Sequence, residues 1–119
     1  MELDLEEFKE RWQLTPEQLK STKMSPEVVE VSQKFLLELE DGFINNISDW
    51  SLDQGIFLYE DEEDYICRFF QFSKGMTNHF VVISHIPQIE CISKQIDERL
   101  LTEISNTVME IMVRHISTP

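Results

Sequence analysis

Between Gly55 and Ile89 the chain reads GIFLYEDEEDYICRFFQFSKGMTNHFVVISHIPQI. Three β-branched and aromatic runs stand here, set apart by two stretches that a strand cannot continue through. Gly55–Tyr59 and Tyr65–Phe72 flank the acidic run Glu60, Asp61, Glu62, Glu63, Asp64. Ser73–Asn78, which contains Gly75, separates the second run from His79–Ile86. Polar connections this short join antiparallel neighbours and cannot carry a parallel crossover. The pattern therefore predicts a three-stranded antiparallel meander. A lone meander cannot bury its own face, so helices from both flanks must pack on it. The expected fold is α+β: N-terminal helices, the meander, and a long C-terminal helix packed on the sheet, in one domain spanning residues 1–119.

Alternation sorts the second run into Tyr65, Cys67, Phe69 and Gln71 on one face and Ile66, Arg68, Phe70 and Phe72 on the other. The third sorts into His79, Val81, Ile83 and His85 against Phe80, Val82, Ser84 and Ile86. Both faces are largely apolar, which calls for cover on two sides or for a partner on one.

Helix start signals mark the flanks. Asp4 with Glu7 forms a capping box ahead of Leu5, Phe8 and Trp12, predicting a short amphipathic helix to about Gln13. Thr15, Pro16 and Gln18 begin one or two further turns ending near Lys20. Ser25-Pro26-Glu27 opens a longer helix whose expected stripe is Val28, Val31, Phe35 and Leu39, widened by Leu36, with Gly42 as its stop. Phe43–Gln54 mixes turn formers with Phe43, Ile44, Ile47, Trp50 and Leu52, and fits a packed loop or a helical turn equally. Pro87 ends the third strand. A last helix is expected from Ser93 to about His115, with Ile96, Leu100, Ile104, Val108 and Ile111 as its stripe, broadened by Leu101 and Met112. Its Glu110 and Arg114 have the acid-first spacing of a weak helical ion pair.

The formal net charge is −13, and its distribution says more than its size. Residues 1–64 hold eighteen acids and five bases, a net of −13, whereas residues 65–119 hold five of each. A half so acidic keeps a chain soluble and steers basic partners toward it. It also excludes phosphate-backbone binding, which needs clustered Lys and Arg. Cys67 and Cys91 lie in apolar context and read as buried free thiols of a reducing compartment. The N-terminus lacks a basic region followed by an apolar stretch, and no apolar run approaches the ~20 residues that cross a bilayer. The sequence predicts a soluble cytoplasmic protein that binds neither nucleic acid nor membrane.

Chemistry-bearing motifs are absent. His79 and His85 share a strand parity but stand roughly 20 Å apart at the strand rise, too far to ligate one metal. The Cys and His spacings of zinc sites are missing. A turn centred between Gly75 and Met76 puts His79 opposite Phe72, several residues from Cys67, which opposes a Cys–His nucleophilic pair. His115 falls on the last helical turn, where a cationic ring suits the helix dipole. The acidic run lacks the spaced ligand pattern of a calcium loop. No cofactor, metal or catalytic residue is expected, and the protein reads as a non-enzyme.

The acidic run supports a binding reading instead. A projecting tip of carboxylates would suit a cleft lined by Arg and Lys, with Tyr59 or Tyr65 as an aromatic anchor beside the charges. The plainer reading is a polar turn that keeps strand edges soluble. The candidate partner-binding residues are Asp49, Asp53, Tyr59, Glu60, Asp61, Glu62, Glu63, Asp64 and Tyr65. The expected function is an acidic module that blocks a basic protein, such as an immunity or antidote protein neutralising a toxin nuclease. The alternative is a small acidic homodimeric chaperone of the secretion type, holding an effector segment on exposed apolar strands.

Overall fold

Helix α1, Pro26–Asn46, starts where the sequence indicates: Ser25 caps it, its hydroxyl accepting from the Val28 N–H at 3.3 Å, and Pro26 takes the first turn. The computed structural model describes residues 24–60, 65–86, 88–91 and 95–117. The helices expected over 5–13 and 15–20 lie outside these residues. After α1 come strands β1 (Ser51–Glu60), β2 (Tyr65–Lys74), β3 (Thr77–Ser84) and β4 (Ile89–Cys91), and then helix α2 (Glu98–Ser117). The four strands form one sheet in the order β1-β2-β3-β4, each antiparallel to the next. The fold is α+β.

Several boundaries differ from expectation. The meander has a fourth, short strand, because Ile83 pairs with Ile89 and Val81 with Cys91 after the chain turns back at 85–88. That turn is held from inside the sheet: the His85 N–H donates to the Ile66 carbonyl at 2.9 Å and the Ser84 N–H to the Gln88 carbonyl at 3.1 Å. Helix α2 begins at Glu98 rather than near Ser93. Asp97 is its cap, with Oδ1 accepting from the Leu100 N–H at 2.9 Å. Asp97→Ala is expected to cost about 1 kcal/mol, read as a lower midpoint in urea denaturation with the slope unchanged.

Gly42 does not stop α1, which continues to Asn46. A Cβ at Gly42 would meet Ile111 Cδ1 at 2.7 Å and Thr107 Cγ2 at 2.8 Å. The glycine is therefore there for close approach of two helices, not for termination. Asn46 Nδ2 donates to the Thr107 hydroxyl at 3.3 Å one turn further on, extending the same seam.

The core lies between the helices and one face of the sheet. Leu36, Leu39 and Phe43 of α1 and Leu100, Ile104, Val108 and Ile111 of α2 meet Ile66, Phe70 and Phe72 of β2 and Val81 and Ile83 of β3. Phe43 sits edge-on to Phe70 and Phe72, with ring centroids 5.0 and 5.4 Å away. Val28 and Val31, expected on the buried stripe of α1, are exposed. The helix turns its Ser32, Phe35, Leu36, Leu39 and Phe43 side inward instead.

Candidate functional site

The predicted acidic tip is built on the hairpin of β1 and β2. Backbone pairing brings Tyr59 opposite Ile66 and Glu60 opposite Tyr65, so residues 61–64 join two fully paired strand ends. Asp61, Glu62, Glu63 and Asp64 themselves lie outside the described residues, as do the side chains of Tyr59, Glu60 and Tyr65. Asp49 and Asp53 belong to the opposite end of β1. Seven residues separate Asp53 from Glu60, roughly 23 Å at the rise of a strand. The strand thus divides the predicted residues into two groups, not one patch.

Asp53 occupies a β-bulge. Leu52 faces Phe72 and Gln54 faces Gln71, leaving Asp53 as the extra residue of β1. Its Oδ2 accepts from the Ser73 hydroxyl at 2.9 Å, which pins the carboxylate beside the neighbouring strand. Asp49 is exposed in the connection between α1 and β1.

A charged centre within the sheet was not singled out in advance. Arg68 shares its strand face with Ile66, Phe70 and Phe72 and is buried against α1. Its guanidinium donates to the carbonyls of Gly55 and Leu36 and to Glu40 Oε2, the last at 3.4 Å from Nη2. It also stands over the rings of Phe57 and Phe70, 5.0 and 5.5 Å from their centroids. Gly55 makes the room. A Cβ there would approach Arg68 Cζ and Nη2 to 3.0 Å and Phe70 Cε1 to 3.2 Å. The available signal was a lone arginine within an apolar parity, beside a strand carrying a glycine. The pairing ties α1, β1 and β2 together through both Nη atoms, while the buried Nε has no hydrogen-bond partner among the described residues.

Two recesses lie among the described residues. The larger, about 590 Å³, runs between α1 and α2 and is lined by Lys34, Glu38, Asp41, Arg114 and His115 among others. Glu38 Oε2 and His115 Nε2 stand 2.9 Å apart there, and the His115 ring meets Phe35 edge-on at 5.5 Å. The Glu–His contact ties the end of α2 to the middle of α1. Among the described residues lining this recess there is no hydroxyl or thiol to pair with the imidazole. The smaller, about 450 Å³ and open, lies where Trp50, Lys74 and His79 approach the start of α2. His79 is buried against Trp50, with centroids 5.2 Å apart and Nδ1 unpartnered, while the Lys74 ammonium stands 5.7 Å from the Trp50 ring.

Neither Cys67 nor Cys91 is in a disulfide, and partial burial pushes the Cys91 thiol above its ordinary value. Cys67 pairs with Ser84 and His79 with Phe72, which keeps Cys67 and His79 far apart along the strands. Among the described residues no cluster of His, Cys, Asp and Glu could hold a metal ion, and no helix is long and apolar enough to cross a membrane. Comparison of the chain with protein-family models, with curated proteins and with solved structures finds no match.

Proposed function

We propose that this protein is an acidic protein-binding module that blocks a basic partner, in the manner of an antidote protein occluding the nucleic-acid cleft of a toxin nuclease. The observation that carries the reading is the net charge of −13 confined to residues 1–64, beside a balanced second half. A field of one sign speeds encounter with an oppositely charged surface, and a few apolar anchors then slow release. Helix α1 offers such anchors. Leu37 and Ile44 are 49% and 60% exposed and stand two turns apart, with exposed Asp41 four residues from one and three from the other. Asp49 and Asp53, both exposed, add to the acidic surface at the start of β1.

Replacing Glu62 and Glu63 together by lysine is expected to slow association with the basic partner about ten-fold and to flatten its salt dependence. Stopped-flow association at several ionic strengths reads both effects. Association rates equal to those of the parent protein would remove the tip from the interface. A homodimeric chaperone is the second reading, favoured by Val31 on α1 and Met109 and Val113 on α2, all exposed on the helical layer. Light scattering that gives a monomer at working concentration would set that reading aside.

A further inference from the structure

Lys74, Thr77 and His79 gather at one end of the layer between the sheet and α2. Backbone pairing sets Lys74 opposite Thr77 and His79 opposite Phe72. Lys74 therefore continues the inward parity of Phe70 and Phe72, and His79 that of Val81 and Ile83. Trp50, just ahead of β1, and Asp97, the cap of α2, complete the walls. The recess they form holds about 450 Å³, enough for a small organic molecule.

His79 is the wall that calls for explanation. It is only 7% exposed and packs on the Trp50 ring, yet its Nδ1 has no hydrogen-bond partner among the described residues. Buried polar atoms are almost always bonded, because an unmade bond forfeits the hydration given up on folding. A ligand seated against this imidazole would supply what the protein does not. Lys74 is the second such group. Its ammonium stands 5.7 Å from the Trp50 ring and makes no ion pair with a described carboxylate. The first turn of α2 adds the positive end of a helix of 20 residues. Asp97, the acid among the walls, has its Oδ1 bonded to the Leu100 N–H. Apart from Trp50, these residues belong to 65–119, where acids and bases balance.

We propose that this recess binds a small aromatic carboxylate, held by the Lys74 ammonium and the His79 imidazole with its ring against Trp50. An ammonium and an imidazole N–H both donate, which selects an anionic acceptor over a cation. The Trp50 indole offers a flat apolar surface, which favours a ring over an aliphatic acid. The site is separate from the acidic surface assigned to a basic protein partner and stands or falls without it.

Benzoate and benzylammonium, alike in size and opposite in charge, are the probes, titrated into the full chain and followed by NMR. Benzoate is expected to bind with a dissociation constant of about 1 mM, shifting the Trp50 indole N–H and the amides of Thr77 and His79. Benzylammonium should bind roughly ten-fold more weakly or not at all. Lys74 is exposed, so Lys74→Gln should weaken benzoate roughly ten-fold and leave the urea midpoint unchanged. His79→Phe keeps a ring against Trp50 and removes the unpartnered nitrogen. It should abolish benzoate binding while the urea midpoint holds or rises. Should His79→Phe unfold, Lys74→Gln decides the matter. No benzoate binding, shifts only at other residues, benzylammonium binding as tightly as benzoate, or full benzoate affinity in Lys74→Gln would each overturn the proposal.

Discussion

Replacing Gly55 by valine is expected to destabilise the protein by about 3 kcal/mol, because it overfills the one gap that admits a buried guanidinium. The new Cβ would stand 3.0 Å from Arg68 Cζ and Nη2, and neither the guanidinium nor Phe70 has free space to yield. Pushing Arg68 aside separates its charge from the Gly55 carbonyl and from Glu40 while leaving it under α1. The valine itself favours a strand, which offsets a fraction of a kcal/mol. A double-mutant cycle isolates the cause. Adding Arg68→Ala to Gly55→Val should cost less than the sum of the two changes made singly, as sites in direct contact do. Additive effects in urea denaturation would show that the glycine serves something other than the arginine.

Phe43→Ala is the second large effect, about 4 kcal/mol, from lost burial plus a cavity between α1 and β2. Phe43 is almost fully buried and meets Phe70 and Phe72 edge-on. Ile44, one residue on, is 60% exposed, so Ile44→Ala should change stability by less than about 0.5 kcal/mol. Chemical denaturation of the two variants side by side checks the contrast. Similar losses in both would mean that α1 faces the sheet at a different rotation.

That contrast shows where the sequence was and was not legible. The hairpin between β2 and β3 follows from Gly75, which adopts a positive φ of 61°, and the alternation around it gives the observed register of Phe72 opposite His79. The stripe of α2 was equally plain, since Leu100, Ile104, Val108 and Ile111 are all buried. The α1 reading failed at Gly42 because local rules treat glycine as a stop, while here a neighbouring helix demands a residue without a side chain. Beyond it, Phe43–Asn46 is helical because Phe43 and Ile47 complete the core, a tertiary reason that no local pattern contains. The fourth strand was missed for its length of three residues. Three alternating positions carry little periodicity, and pairing with Ile83 and Val81 defines the strand.

The acidic residues were legible as charge but not as geometry. Composition placed the excess in the first half of the chain. It could not show that β1 runs without a break in pairing from Gln54 to Glu60, holding Asp53 and the 60–65 end of the hairpin a strand length apart. Nor did it distinguish exposed Leu37 and Ile44 from the buried residues of the same helix. A partner that reads both ends of β1 and the outer side of α1 has to be broad.

Affinity capture on the immobilised full chain, from native lysate at low and at high salt, tests the proposed function most directly. The account predicts one basic protein, identified by mass spectrometry, that is retained at low salt and weakened at high salt. Retention of a non-basic protein unaffected by salt, or no specific partner under either condition, would contradict it.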